Sequence, residues 1–208
     1  MRLPWSIEML MNDPAAFLVL VGLLLYSVIF HETAHGWMAL AFGDTTAKQS
    51  GRLSLNPATH IDPLGTIMLF VVGFGWARPV PVNFRNFKQF RLGLICVALA
   101  GCMTNIAIAT VALAALKIIG PQEGIILSVL FNVARINLIL GSFNLLPIPP
   151  LDGSKILMGF LPAGAQTQFA RVEPYGFLIL IGLIFTGMLW PMIEFMMGLI
   201  LRVIGLII

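Results

Sequence analysis

Residues 14–42 read PAAFLVLVGLLLYSVIFHETAHGWMALAF. No charged side chain occurs from Pro14 to Phe30, and after His35 the apolar pattern resumes as far as Phe42. A helix crossing a bilayer needs about 20 mostly apolar residues, so this stretch reads as a spanning helix. Asp13-Pro14 is a helix-start signal and Gly43-Asp44 a stop signal. Inside the helix lies His31-Glu32-Thr33-Ala34-His35, an H-E-x-x-H pattern. Histidines four apart share one helix face, so both imidazoles can reach one metal ion. Glu32 lies about 100° around the helix, placed to act on a water there without being a ligand. Ionisable groups inside a spanning helix are costly and mark function by default.

The rest of the chain agrees with a membrane setting. Of its 208 residues, 59% are hydrophobic and 10% charged, with a mean hydropathy of +0.96. Soluble domains have about 45–50% apolar and about 25% charged residues. This composition excludes an ordinary soluble enzyme, a disordered regulator and a disulfide scaffold. Twelve Lys and Arg give a net charge of only +3 and form no basic stripe, which argues against a nucleic-acid partner. Cys96 and Cys102 lie in one apolar run at a spacing that fits neither a redox nor a zinc motif. They read as small helix residues. The N-terminus lacks the order of a signal peptide, so the first apolar segment is expected to remain in the mature protein.

The fold class expected is all-α and polytopic, a single integral-membrane domain over 1–208 with about five to six transmembrane helices. Further spans are expected at 92–116, 124–146, 174–190 and 192–208, the last two divided at Pro191. The stretch 63–77 is too short to cross comfortably. It is expected to form a membrane-dipping β-hairpin or half-helix, since irregular backbone at membrane depth is tolerated where protein buries it or water reaches it. Residues 43–62, 78–91 and 150–173 then share one side. That side holds Lys48, Arg52, Arg78, Arg85, Lys88, Arg91, Lys155 and Arg171, against Arg2 and Lys117 opposite. Basic excess marks the cytoplasmic face. Arg135, mid-span, is expected to face the bundle interior because a lipid-facing Arg is costly.

Two histidines alone hold a catalytic zinc poorly, since such sites take three protein ligands and leave one position open. His60, in a loop, reads as a loop or interface residue. Asp152 stands in Asn144-Leu145-Leu146-Pro147-Ile148-Pro149-Pro150-Leu151-Asp152-Gly153, at the end of a span and on the side of His35. It reads equally as a third ligand or as a helix N-cap.

HETAHGW at 31–37 and FNLLPIPPLDG at 143–153 resemble the two signatures of the site-2 protease family of intramembrane zinc metalloproteases. GRLSLNPATHIDPLGT, GWARPVPVN and ARVEPYGF resemble its compact subgroup without a PDZ domain. The resemblance implies zinc, one per chain, held by His31, His35 and Asp152, with Glu32 as general base. It implies that Asn144 holds the substrate strand or stabilises the oxyanion. The family's Gly-Pro-x-x-Asn motif reads Gly101-Cys102-Met103-Thr104-Asn105, with Cys102 in the proline position; Asn105 is expected to bind substrate backbone or make an interhelical hydrogen bond. The implied reaction is peptide hydrolysis in or beside the transmembrane helix of a membrane-protein substrate, in a prokaryotic cell membrane, with the site towards the cytoplasm. The competing class is a metal- or proton-binding transporter without proteolytic activity.

Overall fold

The computed structural model describes residues 5–72, 76–120 and 124–208. In chain order the helices are α1 (Trp5–Asn12), α2 (Pro14–Ala41), α3 (Thr46–Gln49), α4 (Pro63–Val72), α5 (Phe90–Ile119), α6 (Ile125–Asn144), α7 (Asp152–Phe160), α8 (Ala163–Val172), α9 (Gly176–Phe185) and α10 (Leu189–Gly205). No β-strand occurs among the described residues. The protein is all-α, and α2, α5, α6 and the Ala163–Phe185 stretch are long and apolar enough to cross a membrane. α10, with 17 residues, is at the short end of the spanning range of about 17–25.

Helix ends follow local chemistry. The Asp13 carboxylate accepts a hydrogen bond from the Ala16 N–H at 3.0 Å, capping α2 just before Pro14. The expected boundary at Pro191 is wrong. The break lies at Gly187, whose φ of +71° only glycine adopts freely. Pro191 sits in the first turn of α10, where a missing N–H costs nothing.

The functional elements are held in a bundle of α2, α5 and α6, with α7 against α5 and α10 against α6. Ala109, Leu138, Ile200 and Ile204 form one buried cluster, and Leu146, Leu151, Leu180 and Ile193 another. Large apolar side chains cover the outside, among them Leu18, Val111, Ile125 and Phe185, as expected where the solvent is lipid. Arg135 is also exposed, contrary to expectation, and no partner is seen for it among the described residues. α6 turns Asn137, Leu138 and Gly141 inward. Arg135, two residues from Asn137, is therefore rotated about 200° away from that contact.

The two flanks of α4 lie close together. α4 is a half-helix, not a β-hairpin, and Phe70 near its end packs against Phe17 in the first turn of α2, with ring centroids 5.9 Å apart. Beyond it, the Arg78 N–H donates to the His60 carbonyl at 2.8 Å. The two flanks of α4 thus meet on one side. Residues 73–75, part of the expected hairpin, lie outside the described residues.

The three basic loops converge at that end. Asp44, fully buried, accepts from the Asn83 N–H at 2.8 Å and from Asn86 Nδ2 at 2.7 Å. Lys155 pairs with Glu173 and lies 5.8 Å over the Phe84 ring.

Candidate metal centre

α2 carries His31 and His35 one turn apart, and both are buried against α5. The approach depends on Gly101. A Cβ there would stand 2.5 Å from His35 Nε2 and 2.7 Å from His31 Nε2. The glycine of the Gly101–Asn105 motif therefore makes room for the imidazoles.

Asp152 opens α7 as its first helical residue, with Leu151 in the capping position. Its carboxylate is not used as an N-cap. Oδ2 lies 3.1 Å from His31 Nε2 and 3.2 Å from His35 Nε2, and the two Nε2 atoms are 3.0 Å apart. The structure thus brings together three residues separated in sequence by up to 121 positions. His60 is not among them. It is fully buried, and its Nε2 is 2.7 Å from the Ser54 carbonyl oxygen, to which it donates.

Each of the three side chains has a further contact that holds it. His35 Nδ1 donates to the Val97 carbonyl at 2.7 Å, and His31 Nδ1 is 2.6 Å from Asn105 Oδ1. The Cys102 thiol donates to Asp152 Oδ2 at 3.6 Å. With the Nδ1 atoms committed as donors, each Nε2 presents a bare lone pair. Two lone pairs and a carboxylate facing one another at 3.0–3.2 Å repel unless a cation lies among them. A tetrahedral ion with ligands at about 2.0–2.1 Å has ligand–ligand edges of about 3.3–3.4 Å, close to those found. The donor set fits a zinc-like ion.

Glu32 is half-buried beside the triad. Its Oε2 accepts from the Val80 N–H at 2.9 Å. The segment that carries Val80 is clamped by Arg52, whose Nη2 donates to the carbonyls of Arg78 at 2.7 Å and Pro79 at 3.2 Å. Burial lowers the Arg52 pKa first and neighbouring Arg78 lowers it further, with Glu32 opposing.

The two asparagines fare differently. Asn144, half-buried at the end of α6, donates from Nδ2 to the Leu140 carbonyl of its own helix at 3.1 Å. Asn105 is fully buried and makes interhelical hydrogen bonds, to His31 Nδ1 at 2.6 Å and Asn137 Oδ1 at 2.7 Å. Cys102 is likewise more than a small helix residue, because its thiol touches the Asp152 carboxylate. Sequence reading missed Arg52, Val80 and Cys102. A basic residue in a short loop and a backbone N–H carry no local signature of such work.

The chain is 41% identical to "Putative zinc metalloprotease YwhC" of Bacillus subtilis, over 84% of its own length and 85% of that protein's. It belongs to peptidase family M50, the site-2 protease family. The model of that family, "Peptidase family M50", matches residues 120–187, which include Asn144 and Asp152. "Putative zinc metalloprotease Rip2" of Mycolicibacterium smegmatis is 29% identical over 82% of this chain and 68% of its own. "Putative zinc metalloprotease MJ0611" of Methanocaldococcus jannaschii is 34% identical over 62% and 63%. No solved structure matches the chain. In this M50 member His31 and His35 stand on α2 and Asp152 at the start of α7.

Proposed function

We propose that this chain is an intramembrane zinc endopeptidase that hydrolyses peptide bonds within or beside the transmembrane helix of a membrane-protein substrate. The observation that carries the reading is the buried, all-acceptor triad of His31, His35 and Asp152 beside Glu32, set in apolar helices. One zinc per chain would be held by the three, supplying Lewis acidity at the scissile carbonyl and a more acidic water. Glu32 takes the proton of the attacking water and delivers it to the leaving nitrogen. Water thereby adds across the C–N bond to give a carboxylate and an amine. Val80 holds one oxygen of Glu32, and no partner is seen for the other among the described residues.

A substrate helix must unwind locally, because its carbonyls are otherwise hydrogen-bonded and shielded. Asn144, tied only to its own helix, is the side chain placed to take a freed backbone group or the developing oxyanion. The basic loops at 43–62, 78–91 and 150–173 lie in the cytoplasm, and the site opens towards that face.

The test is incubation of the purified protein in detergent with single-span substrates carrying helix-breaking residues mid-span. Cleavage by the wild type and none by Glu32→Gln is expected. A wild-type protein that holds zinc yet cuts none of them would favour a metal-binding transporter.

A further inference from the structure

A buried chain of hydrogen bonds runs from α2 through α6 and α5 to His31, and its direction can be worked out from its fixed ends. Ser27 and Asn137 sit in apolar helices, almost wholly buried. Ser27 Oγ lies 2.7 Å from the Leu23 carbonyl oxygen. A carbonyl only accepts, so the hydroxyl donates there and keeps its lone pairs for others. One end of the Asn137 amide faces two acceptors, the Val133 carbonyl at 2.9 Å and Ser27 Oγ at 2.9 Å. That end must be Nδ2.

Asn137 Oδ1 then faces Asn105, whose near atom is 2.7 Å away and must be Nδ2. The same atom also donates to the Ser27 carbonyl at 3.3 Å. Asn105 Oδ1 is therefore turned to His31 Nδ1 at 2.6 Å. An oxygen there requires the proton on Nδ1, which leaves the Nε2 lone pair for the metal.

We infer that Asn137, oriented by Val133 and Ser27, is a positioning residue for the metal centre. It acts through Asn105 and selects the His31 tautomer that can bind metal. The inference rests on the reading of His31, His35 and Asp152 as a metal site. Asn137 touches neither imidazole nor Asp152; its acceptor oxygen at 2.7 Å, shorter than the Ser27 carbonyl contact at 3.3 Å, is the main restraint against a flip of the Asn105 amide. With Asn105 flipped, Nδ2 would face Nδ1 and favour the proton on Nε2, where it blocks coordination.

Sequence position alone hides this role. Ser27 is one turn before His31 on the same face of α2, but Asn137 lies in another helix and no motif includes it.

The experiment measures Co2+ and Zn2+ affinity of the full-length protein in detergent by chelator competition, with the Co2+ d–d absorption as a second readout. Asn137→Leu, of similar shape but without polar atoms, should weaken both affinities about tenfold or more, the range found for lost partners of metal-bound histidines. Asn137→Asp keeps an acceptor towards Asn105 in either protonation state and should restore affinity to within about threefold. In an Asn105→Leu background, adding Asn137→Leu should change affinity less than twofold, because the link is already cut.

Asn137→Leu binding both ions within twofold of wild type would overturn the inference. So would a full further loss in the Asn105→Leu background, which is what a merely structural role gives. If leucine prevents folding, Asn137→Ala removes the same acceptor and is judged by the same limits. A wild-type protein binding neither ion would instead remove the metal site itself, and this inference with it.

Discussion

The Val80 N–H donates to Glu32 Oε2 across 2.9 Å, so a backbone group of the segment before α5 holds the carboxylate beside His31, His35 and Asp152. The segment is kept in place by Arg52 at its Arg78 and Pro79 carbonyls and by Asp44 at Asn83. Val80→Pro removes the N–H and leaves an extended conformation possible. We expect it to lower kcat with metal content unchanged. Arg52→Leu frees two carbonyls and should cost about 1–3 kcal/mol of stability and lower kcat in the same way. Kinetics paired with metal analysis on each variant would check this; unaltered kcat in both would show that the contact is idle.

Glu32→Gln should fold and keep its metal but lose at least about 100-fold in hydrolysis, the lower end of what a general base contributes. His31→Ala, His35→Ala and Asp152→Ala should each lose metal. Elemental analysis of purified protein gives the stoichiometry, expected at one zinc per wild-type chain. Full occupancy in Asp152→Ala would remove that residue from the site.

Gly101→Ala places a methyl group 2.5 Å from His35 Nε2 and 2.7 Å from His31 Nε2. Helix propensity favours alanine, so a stability argument from the backbone alone predicts gain. The close approach predicts the opposite for the site: metal affinity should fall while α5 persists. Circular dichroism together with metal titration separates the two, and unchanged metal affinity would mean that the helices shift apart freely.

Asp44 gives a pH dependence outside the membrane. Burial pushes its pKa up, but hydrogen bonds from Thr46, Asn83 and Asn86 outweigh this and hold it below the ordinary 3.8. A carboxylate depressed on folding stabilises above its unfolded pKa, and that stability is lost as pH falls through the folded value. The wild type should therefore be more stable than Asp44→Asn at neutral pH, and the gap should narrow below about pH 4. Thermal melts of both proteins across pH 3–7 test it; a gap constant with pH would contradict the assignment.

Single cysteines at Gln49, Gln89 and Gln168, with Cys96 and Cys102 removed, should all be shielded from an impermeant thiol reagent in intact cells. All three should label once the membrane is opened. Opposite labelling of Gln49 and Gln89 would mean that the 63–77 stretch crosses the bilayer.

The sequence by itself determined the membrane class, the spans of α2, α5 and α6 and the histidine pair, because hydropathy and helical periodicity act over neighbouring residues. It singled out Asp152 only as one of two even readings, ligand or cap. The ligand role itself stays a proposal; tertiary structure takes Asp152 out of the capping position, which Leu151 fills, and folds α7 back onto α5 until Asp152 Oδ2 stands 3.1 Å from His31 Nε2. The same holds for Asn105, whose partner is His31, 74 positions away, and for Val80 and Glu32, 48 apart. Arg135 fell on the outer face because rotation about α6 is set by packing of Asn137 and Leu138, not by its own charge. The half-helix at α4 was legible as a short apolar run, but only the Arg78–His60 contact fixes both its flanks on one side. Local physics reaches one or two helical turns, whereas a site drawn from α2, α5, α6 and α7 is assembled by contacts that no window of sequence contains.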